Sequence, residues 1–373
     1  MKKRIMCTLL VTILLLSVST LSVSADSDIG VAIDGVTFRL DVNPVNENGR
    51  ILIPIRAVAE AIGADVEWDE KTKTTTLTRA GIVAKLTVDS NVALVNGESI
   101  TLDVAPKIID SRTLLPVRFV AEVFSQIVDW DVTHKKVMIS EDMSFAEGSN
   151  LTEWFLGVGA IISKANESWG ADPYKLGTAP RRASNVKTWR SILSNSWGVS
   201  DREDLIEVIT TMTYAGHGLS FNYDVALFKS LSASERNELL KNAQGVDAYM
   251  WPYLVELDKK WGDKSIYAWD WVRMGHLCRW GYLTGYLTAK EAYELFEPCA
   301  EMLRETFGSW DEVMDNYLDG YAYWARIDVK KTPNNFEERH KMYKDLKELE
   351  KGNPKGLLFD PKVWEEPVRG IVE

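Results

Sequence analysis

Residues 48–69 read NGRILIPIRAVAEAIGADVEWD, and residues 110–131 read DSRTLLPVRFVAEVFSQIVDWD. The two stretches align without a gap at a constant offset of 62 residues, which places Arg50 opposite Arg112. Similarity at a fixed offset of this size indicates one supersecondary module that is used twice. The alignment therefore locates an N-terminal domain before any other argument is needed.

Each copy of this pattern predicts the same local structure. A short apolar stretch runs into a proline, Pro54 or Pro116, and proline is favoured in the first turn of a helix. Apolar residues then recur at helical spacing, namely Ile55, Val58, Ala59 and Ile62, and in the second copy Val117, Val120, Ala121 and Phe124. The segments around Trp68 and Trp130 alternate apolar and polar residues, as β-hairpins do. We therefore predict an α+β repeat module of short helices and β-hairpins over residues 28–142.

The repeated pattern resembles the copper amine oxidase N-terminal-like domain, an extracytoplasmic module of Gram-positive secreted proteins. The shared pattern is N-G-R-x-L-x-P-x-R-x-V-A-E-x-x-G, followed by V-x-W-D and a hairpin rich in lysine and threonine. The second copy departs from it at Ser111 and Ser125, where glycines would stand. In the oxidases this domain stands apart from the copper centre. His134 is the only histidine in the module, so we predict no metal site.

The first 25 residues have the order of a secretory signal peptide. Lys2 to Arg4 are basic, Leu9 to Val18 are apolar, and Val23 to Ala25 supply small residues for cleavage. The alternative is an N-terminal membrane anchor. No later apolar run approaches the length of a transmembrane helix. We therefore expect a secreted or cell-surface protein with no transmembrane segment once the signal is removed.

Charge and motif content exclude several functions. The chain has 54 acidic and 43 basic residues, and this net charge of −11 disfavours nucleic acid as a partner. H-E-x-x-H, G-x-S-x-G and a phosphate-binding glycine loop are all missing, so we expect no cofactor. After signal removal only Cys278 and Cys299 remain, either as one disulfide bridge or as two buried thiols.

The C-terminal part has a different composition. Only Trp68 and Trp130 of the 14 tryptophans precede residue 145, and helical spacing replaces strand alternation after it. Thr288 followed by Glu291 predicts a capping box at the start of one helix. We predict an all-α helical domain over residues 150–345 and an irregular tail over 346–373.

This helical part resembles a bacterial domain of unknown function, number 1266, over most of residues 150–328. The matching strings are WFLGVGA from Trp154, WGVSDREDL from Trp197, AWDWVR from Ala268, GYLTGYL from Gly281 and GYAYW from Gly320. They are aromatic and polar strings without a catalytic signature. The resemblance implies no established activity, substrate or cofactor.

Residues 269–280 form the first candidate site. Four residues follow one helix face at steps of four, three and four, namely Trp269, Arg273, His276 and Trp280. Asp270 precedes Arg273 by three residues and is close enough to pair with it. An arginine–aspartate pair among tryptophans could bind a carboxylate or sugar ligand. The alternative is a structural ion pair that orders an aromatic core.

A second candidate is His217, which lies between Gly216 and Gly218 in a segment where the backbone can approach another group closely. It is either a general base or a histidine in a turn or at a helix end. The candidate ligand-binding residues are Arg273, Trp269, Trp280 and Trp197. The candidate catalytic residues are Asp270, His217 and His276.

From these patterns we expect an exported, non-enzymatic protein of the cell envelope. The repeat module would attach the protein, and the helical domain would bind an envelope polymer or another envelope protein. The alternative is an envelope hydrolase with its site on the helical domain.

Overall fold

The structure is a computed structural model that describes residues 29–332, 334–352 and 358–371. The predicted signal peptide lies outside the described residues. The N-terminal unit is rich in strands and the C-terminal unit is helical, as the sequence predicts. No described helix has both the length and the apolar character needed to cross a membrane.

Three sheets make up the N-terminal unit. Its strands are β1 Gly30–Ile33, β2 Val36–Phe38, β3 Val45–Glu47, β4 Arg50–Pro54, β5 Asp65–Asp69, β6 Thr74–Arg79, β7 Ile82–Thr87, β8 Val92–Val95, β9 Glu98–Thr101, β10 Lys107–Ile109, β11 Arg112–Pro116, β12 Gln126–Asp131 and β13 Lys136–Glu141. The strand orders are β12-β13-β1-β2, β10-β11-β4-β3 and β5-β6-β7-β8-β9. Helices α1 (Ile55–Ala61) and α2 (Val117–Val123) begin directly after Pro54 and Pro116.

The two sequence copies are interlocked. Strands β4 and β11 pair antiparallel with Ile53 opposite Leu115, and these residues are 62 positions apart. The sheet that contains β12 and β13 is completed by β1 and β2 from the start of the unit. In the five-stranded sheet, β7 lies between β6 and β8. The strands equivalent to β6 and β8 are β13 and β1, and these two pair directly, so the four-stranded sheet has no strand equivalent to β7. Each of the three sheets therefore combines strands from both copies, since β8 and β9 stand 62 positions after β1 and β2.

The C-terminal unit packs around one buried helix. Its helices are α3 Leu151–Ala165, α4 Ala183–Trp197, α5 Arg202–Ala215, α6 His217–Ser230, α7 Ala233–Asn242, α8 Asp247–Trp261, α9 Tyr267–Thr284, α10 Ala289–Thr306, α11 Trp310–Trp324 and α12 Asn334–Lys351. Every residue of α9 except Tyr267 and Arg273 is buried. A helix that is surrounded on all sides needs apolar residues around its whole circumference. Arg273 is therefore a point at which this central helix reaches the surface.

Several local predictions can be compared with the helical unit. Thr288 and Glu291 form the predicted capping box, in which each backbone N–H donates to the other side chain. Cys278 and Cys299 are both free and buried. The final helix continues to Lys351 rather than ending near 345, because Tyr343 and Leu346 are buried against the bundle. The segment predicted as an irregular tail also contains a short 3₁₀ helix at Pro361–Trp364.

The two units meet through buried polar contacts. Arg181, in the loop before α4, donates from Nη1 to the carbonyl oxygen of Ile62 at 3.3 Å and from Nη2 to Glu141 at 3.0 Å. The backbone N–H of Ala80 donates to the carbonyl oxygen of Gly285 at 2.9 Å. The strand-rich unit is thus joined to the loop before α4 through Arg181 and to the end of the central helix through Gly285.

Candidate functional site

Asp270 lies in the first turn of α9, and its side chain is 2% exposed. Its Oδ2 accepts a 2.7 Å hydrogen bond from the backbone N–H of Gly218, and its Oδ1 lies 3.1 Å from Nδ1 of His217. The first N–H groups of a helix have no partner within that helix. The Asp270 carboxylate therefore caps the N-terminus of α6 from a neighbouring helix.

The glycines beside His217 make this close approach possible. A Cβ atom at Gly216 would overlap the Asp270 carboxylate, and one at Gly218 would lie 2.5 Å from the Tyr267 ring. The sequence predicted that the backbone approaches another group closely in this segment. That group is the first turn of α9.

Arg273 lies one turn further along α9, and its side chain is 12% exposed. Its guanidinium carbon is 4.4 Å from the Trp269 ring centroid, 4.8 Å from that of Trp197 and 5.8 Å from that of Trp324. Burial lowers the pKa of Arg273, and the nearby Asp270 charge offsets part of this effect. The predicted Asp270–Arg273 pair is present, but at 3.8 Å it is too long for a hydrogen bond.

Four of the predicted residues thus come together around Arg273, and they are Asp270, His217, Trp197 and Trp269. The Arg273 Nη1 atom lies 3.3 Å from Nδ1 of His217. When Nδ1 of His217 carries the proton and donates it to Asp270, Nε2 of the same ring can act as a hydrogen-bond acceptor. The His217 side chain is 40% exposed, so solvent can reach the ring. This arrangement combines a cation, a buried anion and a histidine that solvent can reach.

His276 and Trp280 lie elsewhere. They are 1% and 5% exposed, and their rings contact each other at 4.6 Å. Trp280 also packs against Trp189 at 5.0 Å. Burial, followed by the charge of Arg279, lowers the pKa of His276 well below 6.5. These two candidates belong to the core, because the central helix is enclosed along this stretch.

Trp324 is a site residue that sequence reasoning missed. It ends α11, is 48% exposed, and packs on Trp269 with ring centroids 5.2 Å apart. Its only signal in the sequence is the aromatic string that begins at Gly320. That string does not indicate which aromatic residue reaches α9. Within the described ranges, no three His, Cys, Asp or Glu residues group as metal ligands would.

The fold and this site define a two-unit protein, with a strand-rich unit ahead of a helical unit that carries the candidate site. Residues 32–139 match the family model described as copper amine oxidase N-terminal domain. Residues 192–354 match the model described as protein of unknown function (DUF1266). The chain thus contains the two predicted domains in the predicted order, and the second match begins and ends later in the chain than the resemblance suggested.

Two curated proteins of Escherichia coli K12 are similar to parts of the chain. Uncharacterized protein YbeU is 29% identical over 146 residues, which is 39% of this chain and 61% of that protein. Uncharacterized protein YbeR is 31% identical over 134 residues, which is 35% of this chain and 56% of that protein. The chain thus covers less than two thirds of either relative.

Proposed function

We propose that this is an exported, non-enzymatic protein of the Gram-positive cell envelope that binds an envelope polymer or another envelope protein. Copper amine oxidase N-terminal domains are non-catalytic accessory domains, which supports an attachment role for the first unit. In this proposal the unit consists of two copies of one module. Export rests on the order of basic, apolar and small residues in residues 1–25.

The environment of Arg273 is the observation on which the binding role rests. The guanidinium has indole rings on several sides, and an arginine has five N–H donors. Its neighbour Asp270 already accepts a hydrogen bond from the backbone of Gly218. Since Arg273 makes no hydrogen bond to Asp270, N–H donors of its guanidinium remain for a ligand. A guanidinium is suited to binding a carboxylate through two parallel hydrogen bonds. The exposed Trp324 ring lies beside them and offers a stacking surface.

Arg273→Lys and Trp324→Ala should each lower affinity for isolated Gram-positive cell walls by about tenfold. Lysine retains the positive charge but loses the planar fork, and alanine removes the exposed ring. The measurement is co-sedimentation of the purified chain with insoluble walls over a range of wall concentrations.

Trp169→Ala is the matched control for this experiment, because Trp169 is 60% exposed and lies on a different surface element. Thermal unfolding of each variant would confirm that the fold is retained. Unchanged sedimentation of the Trp324→Ala protein would contradict a binding role for this site.

An envelope hydrolase is the second candidate, because the His217–Asp270 geometry is that of a histidine oriented by a buried carboxylate. Asp270→Asn separates the two functions. If Asp270 serves the fold, the substitution should lower the unfolding free energy by about 1–3 kcal/mol, since it weakens a buried charge-assisted hydrogen bond. The melting temperature should then fall by several degrees. An unchanged melting curve together with loss of wall-fragment release would favour the hydrolase.

A further inference from the structure

Two surface grooves on the N-terminal unit are built from equivalent positions. We define the Trp68 groove as the cleft of about 840 Å³ lined by Pro54, Arg56 and Trp68 together with Arg112. We define the Trp130 groove as the cleft of about 560 Å³ lined by Pro116, Arg118 and Trp130 together with Arg50. Each residue of one set is 62 positions from its counterpart in the other.

Both grooves require both sequence copies. In the Trp130 groove, Arg118 and Trp130 come from the second copy, whereas Arg50 and Ile51 come from the hairpin of the first. The antiparallel pairing of β4 with β11 brings that hairpin to the groove. A single copy would therefore present only half of either groove, which makes the interlocked pair the smallest unit with complete grooves.

The two grooves differ in charge. The charged residues lining the Trp68 groove are Arg39, Arg56 and Arg112 against Asp41, Glu60 and Glu70. Those lining the Trp130 groove are Arg50, Arg118 and Lys135 against Asp129. The first set is balanced. In the second, Arg50 is paired with Asp103, so Arg118 and Lys135 against Asp129 leave an excess of one positive charge. This excess is local, because the chain as a whole has a net charge of −11.

The equivalent arginines Arg112 and Arg50 are both paired, Arg50 with Asp103 at 2.6 Å, so the grooves differ at their tryptophans and at Arg118 and Lys135. In the Trp68 groove, Arg112 pairs with Asp41 at 2.6 Å, and the indole N–H of Trp68 donates to Glu70 at 2.7 Å. The position equivalent to Glu70 is Val132, so Trp130 lacks that carboxylate. Among the residues that the structure describes, the side chains of Arg118 and Lys135 make no ion pair. Both are exposed and available to a ligand.

We propose that the Trp130 groove binds an anionic glycan, with a sugar ring stacked on the Trp130 indole and its carboxylate on Arg118 and Lys135. Trp130 is 44% exposed, and apolar Val117 and Val128 lie beside it in the groove. An amphipathic ring with an apolar face and a charged edge matches this surface. The groove is a different surface from the Arg273 site and does not depend on the function proposed for that site.

The test uses isothermal titration calorimetry of the full chain with polygalacturonate. Arg118→Ala and Trp130→Ala should each weaken binding by about tenfold, which corresponds to the loss of one good contact. Arg56→Ala and Trp68→Ala, the equivalent changes in the Trp68 groove, should stay within about twofold of the unchanged chain. Binding should also weaken as sodium chloride is added.

Two comparisons make the result specific. Repeating the series in a Trp324→Ala background disables the Arg273 site, so failure of one proposal is distinguishable from failure of the other. Titration with dextran, an uncharged glycan, tests whether binding requires a charged ligand. Titration with polyglutamate, an anionic polymer without sugar rings, tests whether binding requires a sugar.

Equal losses from Arg56→Ala and Arg118→Ala would overturn the assignment to the Trp130 groove. If polyglutamate binds as tightly as polygalacturonate, the proposal that the ligand is a glycan is contradicted. Absence of any binding by the folded chain would overturn both assignments.

Discussion

Replacing Arg181 by methionine should lower the free energy of unfolding by about 3–5 kcal/mol, the cost of removing one partner from a buried ion pair. The Arg181 side chain is 1% exposed and that of Glu141 is 6% exposed. The Arg181 Nη2 atom also donates to Gln126 and to Asp34, each at 3.2 Å. Methionine can replace the volume of the arginine stem but none of these donors. Among the described residues, Glu141 would then have only the more distant Arg79, at 3.5 Å, as an ionic partner.

The same substitution should make the protein more sensitive to acid. Burial alone would raise the pKa of Glu141, but the charges of Arg181 and Arg79 outweigh burial and lower it below 4.5. A carboxyl group with a lowered folded-state pKa stabilises the fold above its unfolded-state pKa. That stabilisation is lost as the pH falls through the folded-state value. Without Arg181 the folded-state pKa of Glu141 rises, so acid unfolding should begin at a higher pH.

Urea unfolding between neutral pH and about pH 4 measures both effects. Arg190→Met is the matched control, because Arg190 also joins the two units, through Asp65 at 2.6 Å, while it donates to the carbonyl oxygen of Thr284 within its own unit. Its side chain is 24% exposed, so solvent should reduce the loss. Equal losses from the two substitutions would show that burial of the Arg181 cluster has no special importance.

Local sequence signals explain much of the fold. Pro54 and Pro116 predicted where α1 and α2 begin, and Thr288 with Glu291 predicted a helix start, because these effects act within one turn of the chain. The sharing of sheets between copies was not predictable in the same way. The pairing of β1 with β13 joins residues more than one hundred positions apart, and periodicity gives no partner for a strand.

The candidate site shows the same limit. The three-residue step from Asp270 to Arg273 correctly predicted that these side chains lie close together. Helical steps also placed His276 and Trp280 on that face. The face of a helix does not predict which of its residues are exposed when neighbouring helices surround it, and both side chains are buried. Trp68 and Trp130, whose segments the sequence predicted as β-hairpins, line surface grooves.

Gly285→Ala is the second substitution with a large expected effect. Gly285 follows the end of α9 with φ of 78°, and its missing side chain faces the backbone of Gly63 in the other unit. An alanine Cβ would overlap the carbonyl oxygen of Gly63, so one backbone must move. That movement would also strain the hydrogen bond from Ala80 to Gly285.

Gly198→Ala separates this clash from the cost of backbone conformation. Gly198 ends α4 with φ of 69°, and no atom lies within 4 Å of its Cβ position. Alanine there should cost about 1 kcal/mol, the usual penalty for a left-handed L-residue. At Gly285 an overpacking term of about 1–3 kcal/mol should add to that penalty, because the opposing atom belongs to the backbone and cannot rotate away. Differential scanning calorimetry of both variants measures the difference. If the two melting temperatures fall equally, close contact between Gly63 and Gly285 does not contribute to the joining of the units.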